Sequence, residues 1–152
     1  MTTIELAPRR VAWWRRAADW AHLGLAGLVV VAVFAQVYLI GAYLFGAGQD
    51  LLEAHRQVGF SAHLVECLVL VAALVAWLPR TDLLLSLALA VLGTAQIALA
   101  SAHGWTGGLH PLFALVVLTL AAWLVRRGLE RVRWWHGTRS GVSPDDRGAS
   151  SP

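Results

Sequence analysis

His55 and His110 are placed alike in the chain: each follows a short glycine-containing connector and each opens a long apolar stretch. Imidazole is a standard axial ligand for haem iron, and two of them at matched positions invite the question of what lies between. Gln36 and Gln96 recur in the apolar stretches just before those connectors, in the segments Ala35-Gln36-Val37-Tyr38-Leu39-Ile40-Gly41-Ala42 and Ala95-Gln96-Ile97-Ala98-Leu99-Ala100-Ser101-Ala102. A carboxamide is costly in hydrocarbon, so its recurrence carries more weight than composition alone. The repeating unit is a helix, a connector, a His and a second helix. Used twice in one orientation, it makes a tandem repeat related by an axis along the membrane normal.

If four helices alternate up and down, the second and fourth lie diagonally across the bundle. Neighbouring axes are about 8–10 Å apart, which makes the diagonal about 11–14 Å. Two imidazoles reaching inward from that diagonal leave room for a metal carried in a flat macrocycle, and bis-His haem b fits. Gly59, one turn after His55, and Ala114, at the same offset from His110, leave space near the backbone for such a ring. Arg56 at the rim is suited to pairing with a propionate. The competing reading is that each His only caps a helix at the membrane interface.

His63 and Glu66 form a second constellation. His63 lies eight residues past His55, so it points about 80° round the helix and about 12 Å deeper. It shares a face with Glu66 at i+3 and Cys67 at i+4. The pair reads as a proton relay, a substrate contact or a packing pair, and His63 is the alternative axial ligand to His55. The single cysteine, Cys67, sits in an apolar run and reads as a small buried hydrophobe. His103 is expected to hydrogen-bond within a loop, and His22 and His136 to decorate the opposite interface.

The elements that must position these groups are membrane helices. Of 152 residues, 58% are hydrophobic and 14% charged, and the mean hydropathy is +0.63. The charges gather at the two ends and in connectors, which is a bilayer composition. Four spans are predicted, at residues 23–45, 54–78, 83–102 and 109–125. The expected fold is all-α: an integral membrane four-helix bundle of up-down topology. A basic, Trp-rich lead-in (1–22) precedes the transmembrane domain (23–127), and a Ser/Gly/Pro-rich tail (128–152) is expected to be largely disordered.

All twelve basic residues are Arg, and eleven of them lie in the two ends and the second connector, with Arg56 alone on the opposite side. The positive-inside rule then places both termini in the cytoplasm of a multi-pass plasma-membrane protein, with the His and Gln cluster toward the outer face. The arginines before the first span do not make a cleaved signal, because the apolar stretch that follows is about twice a usual signal core. No nucleic-acid module, hydrolase triad, zinc motif or phosphate loop occurs in the sequence.

The run Glu53-Ala54-His55-Arg56-Gln57-Val58-Gly59 resembles the Glu/His-Arg motif of the haem A synthase family, and His110-Pro111-Leu112-Phe113-Ala114 resembles its paired His segment. The chain is also similar to small four-helix bacterial membrane proteins. The resemblance implies that the chain equals one four-helix half of that family, with a haem between the second and fourth helices. Glu53 lies two residues before His55, where the family spaces its Glu one further back, and a single bundle lacks the second haem site. What it implies is therefore haem b binding rather than the synthase reaction.

The expected function is electron transfer or haem handling by a redox carrier, alone or with a redox partner in a larger membrane complex. Two alternatives stand beside it: a cofactor-free accessory subunit or assembly factor, and a small quinone- or substrate-binding protein built on His63 and Glu66.

Overall fold

The computed structural model describes residues 13–102 and 104–137, with side chains described as far as Arg133. Four long helices make up this region: α1 (Trp13–Leu44), α2 (Gln49–Val75), α3 (Arg80–Ala100) and α4 (Leu109–Gly137), with a single 3-10 turn at Gly104–Thr106 before α4. Each is long and apolar enough to cross a bilayer, so this is the make-up of a multi-pass membrane protein. No strand occurs among the described residues. In lipid each helix satisfies its backbone internally, which is why apolar runs of this length take helical form.

α1 packs against α2 and α4, and α3 against the same two. The helices thus form a closed up-down ring in chain order, with α1/α3 and α2/α4 on the diagonals. One end carries the start of α1, the α2–α3 turn and the end of α4, and is called here the termini end. The far end carries the other two connectors.

The helix ends differ from the expected span limits in an informative way. α1 begins at Trp13 and α4 runs on to Gly137, so the expected boundaries at 22/23 and 127/128 fall inside continuous helices. Apolarity stops where the arginines begin, but the helix does not, because Arg, Ala, Leu and Glu are all good helix formers. The expectations for residues 1–12, for His103, for the His136 side chain and for the tail from Thr138 lie outside the described residues.

Two helices end in the same way. At the end of α1, Gly46 N donates to Tyr43 O at 3.0 Å and Ala47 N to Ala42 O at 3.1 Å; Gly46 has φ 88°. At the end of α2, Trp77 N donates to Leu74 O and Leu78 N to Ala73 O, both at 3.1 Å. These are Schellman closures, which require a left-handed residue. At α2 that residue is Trp77, with φ 55°, where a glycine would avoid a cost of about 1 kcal/mol or more.

The core is a dry layer at mid-height. Ala26, Val29, Val33, Val69, Leu89, Val117, Ala121 and Leu124 are buried together. Ala26 on α1 and Ala121 on α4 let backbones approach closely, which is how membrane helices associate without a hydrophobic drive between them.

Candidate functional site at the far end of the bundle

The far-end cluster is built from one element of each kind, twice. α1 supplies Gln36 and α2 supplies His55; α3 supplies Gln96 and α4 supplies His110. The His55 ring donates from Nδ1 to the Gln36 backbone carbonyl at 3.2 Å. The His110 ring donates from Nδ1 to the Gln96 backbone carbonyl at 3.1 Å. The two halves of the repeat therefore hold their histidines by the same bond to the same atom of the matched glutamine.

A carbonyl can only accept, so the His55 proton sits on Nδ1 and its Nε2 lone pair is left over. His110 Nδ1 lies between the Gln96 carbonyl, an acceptor at 3.1 Å, and the Gln96 amide nitrogen, a donor at 2.9 Å. Fixing one ring nitrogen on a backbone carbonyl is the usual way a ligating imidazole is oriented and its other nitrogen made available. The rings stand face to edge across the α2/α4 diagonal, with centroids 6.3 Å apart and planes at 68°. Two metal–imidazole bonds of about 2 Å each, plus half a ring on either side, span about 6 Å. The centroid spacing is that of two imidazoles on one metal. Face-to-edge packing, however, turns one ring's face rather than its Nε2 toward the other, so a ring must rotate before both can ligate.

Around this pair the two halves diverge. Oriented to suit its neighbours, the Gln96 amide gives its nitrogen to the His110 carbonyl and takes the Ala114 N–H, both at 2.8 Å. Gln36 lies over Gly59, where an added Cβ would come within 2.7 Å of its Nε2, and its buried Oε1 has no hydrogen-bond partner. The space expected at Gly59 and Ala114 is thus occupied by the two carboxamides. On the Gly59 side one acceptor is left unsatisfied, which is a feature of a site lacking a donor. Arg56 turns away to Glu53 at 3.6 Å, both side chains being well exposed, and Gln57 also donates to Glu53, at 2.8 Å.

His63 and Glu66 are not part of this pair of rings. His63 Nδ1 and Glu66 Oε2 are 3.2 Å apart, the Glu66 carboxyl is almost fully buried, and Cys67 Sγ lies 3.9 Å from His63 Nε2. Their facing element is α3 at Gly93, where an added Cβ would overlap Glu66 Oε2 and stand 2.6 Å from His63 Nδ1. Gly93 is one turn from Gln96 along α3. Among the described residues no three His, Cys, Asp or Glu side chains gather as a metal site.

The termini end holds a network that the sequence reading passed over. His22, expected to be decorative, is fully buried, as are Asp82 and Ser86. Arg131 reaches Asp82 Oδ2 at 2.6 Å and Asp19 Oδ1 at 3.0 Å, and Arg127 pairs with the other Asp82 oxygen. Ser86 Oγ donates to the Asp82 carbonyl at 2.8 Å. His22 Nε2 must then donate to Ser86 Oγ at 3.0 Å, leaving Nδ1 to accept from Arg131 at 3.4 Å.

Two carboxylates and two guanidiniums balance, and α1, α3 and α4 are tied together. The signal was present in the sequence: Asp19/His22, Asp82/Ser86 and Arg127/Arg131 are i,i+3 or i,i+4 pairs, each on one helix face.

Comparison with family models, with characterised proteins and with solved structures finds no match for the chain. The functional reading therefore rests on the geometry.

Proposed function

We propose that the chain is a haem b-binding membrane protein in which His55 and His110 are the axial ligands, acting in electron transfer or haem handling. One observation carries the reading: two imidazoles from opposite helices stand 6.3 Å apart, each with Nδ1 held on a backbone carbonyl. Haem supplies one-electron chemistry when bound, and with both axial positions taken by histidine there is no open position for oxygen. Gln96 fixes the backbone beside His110. The resemblance to half of a haem A synthase agrees with this assignment. The positive-inside pattern supports cytoplasmic termini and a histidine pair near the outer face of the plasma membrane.

The test is a visible spectrum of the detergent-purified chain from haem-supplied cells, oxidised and dithionite-reduced. A Soret band that is lost in His55→Ala and in His110→Ala, but kept in His63→Ala, is the expected result. A colourless preparation would sink the proposal and leave the accessory-subunit reading standing. Colour lost only with His63 would move the ligand.

The buried His63–Glu66 pair against Gly93 favours a second reading, a quinone- or proton-handling site beneath the histidine pair. Tight binding of a quinone analogue abolished by Glu66→Gln, in colourless protein, is the outcome that would select it.

A further inference from the structure

The α2–α3 corner at the termini end carries a strained, exposed tryptophan whose ring has little protein to pack on. Trp77 holds the left-handed closing position of α2, which an L side chain resists, yet its side chain is 73% exposed. The protein contact recorded for the ring is Arg15 of α1, whose guanidinium carbon lies 5.8 Å from the ring centroid, within cation–π range. Arg15 also donates from Nε to the Ala76 carbonyl at 3.2 Å. That bond and the ring together fix the guanidinium before any ligand arrives.

The charge at this corner is unbalanced. Asp82 and Asp19 are taken by Arg127 and Arg131, and Glu130 lies beside Arg126 at 3.7 Å. Arg15 and Arg80 have no carboxylate partner among the described residues. Arg80 opens α3, three residues after Trp77. Cations at the edge of a hydrocarbon layer need counter-charges, and the abundant ones at that depth are lipid phosphates. A guanidinium fork matches a phosphate better than any other side chain does, while tryptophan favours the headgroup layer.

We propose that Arg15, Trp77 and Arg80 form a binding site for the headgroup phosphate of an anionic phospholipid. Arg15 is the preset phosphate contact, Trp77 lies against the glycerol and upper acyl region, and Arg80 supplies the second positive charge that favours anionic over zwitterionic lipid. The site does not rest on the haem assignment.

The test uses the full chain in nanodiscs or mild detergent, with bound phosphatidylglycerol and phosphatidylcholine counted by native mass spectrometry. Wild type should retain phosphatidylglycerol in preference, and affinity should fall about fivefold for each of Arg15→Gln and Arg80→Gln. Trp77→Gly should fold at least as stably, since it relieves the left-handed residue, and still hold the lipid more weakly. Inorganic phosphate at matched ionic strength should not displace the lipid. Equal retention of the two lipids by wild type, an undiminished preference in the folded double-arginine variant, or displacement by inorganic phosphate would each overturn the assignment.

Discussion

Replacing Asp82 with alanine removes the hub of the termini-end network, and the structure sets the size of the effect. The carboxylate is fully buried and meets Arg131 at 2.6 Å as well as Arg127. Removing one partner of a buried ion pair costs about 3–5 kcal/mol, because a charge is left without compensation. Here the cost is reduced on two counts. Arg127 is 30% exposed and can turn its head toward the headgroups, while Arg131 keeps Asp19 at 3.0 Å. The expected loss is therefore about 2–4 kcal/mol.

Arg131→Leu breaks the same Asp82–Arg131 bond that Asp82→Ala breaks, so in the double variant that bond is lost only once. The double variant should therefore be more stable than the two single losses sum to, by about 1–3 kcal/mol. Reversible unfolding in mixed micelles, followed by helical circular dichroism, measures all four corners of the cycle. A loss below about 0.5 kcal/mol for Asp82→Ala, or strict additivity in the cycle, would show that the network is solvated decoration and refute the reasoning.

The Gly93→Ala variant should lose about 2–4 kcal/mol in the same assay, from overpacking against Glu66 together with the broken His63–Glu66 bond; adding Glu66→Ala should recover most of it. The two glutamines should behave oppositely in cofactor-free protein, although they occupy matched positions. Gln36→Leu should be neutral or stabilising, since it removes an unsatisfied oxygen. Gln96→Leu should cost about 1 kcal/mol through its lost bonds to His110 and Ala114. Equal effects at the two positions would mean that the halves of the site are interchangeable.

The count and order of helices were legible because a bilayer demands about 20 apolar residues per span, and four such runs stand out. The helix ends were less so: a hydropathy reading begins the first span at residue 23 and stops the last at Arg126, whereas the helices run on through residues that include good helix formers. At the far end, the repeat of Gln and His pointed to two matched pairs that the fold brings together, but not to their bonding. Nothing in the sequence says that each His would take the glutamine's backbone carbonyl, or that the carboxamides would fill the room beside Gly59 and Ala114. The termini-end network was missed because charges near the end of a span read as interface residues. Only the matching i,i+3 and i,i+4 spacings on three helices betray that they face one another. Gly93 carries no signal at all before its neighbour across the bundle is known.

The two polar ends are separated by the dry layer of Val29, Val69, Leu89, Val117 and Leu124, and they bind the helices differently. At the termini end, ion pairs join α1, α3 and α4, while α2 meets them there through Arg15, which donates to the Ala76 carbonyl and lies over Trp77. Yet α2 carries His55, His63 and Glu66, most of the far-end chemistry. Three helices thus form a braced frame, and the fourth is held mainly by apolar packing and by His55 on the Gln36 carbonyl. If a flat, rigid group enters between α2 and α4, as proposed, one wall has to yield without breaking buried ion pairs. In this bundle that wall is α2, and the separation of His55 and His110 is set by how α2 lies against α1.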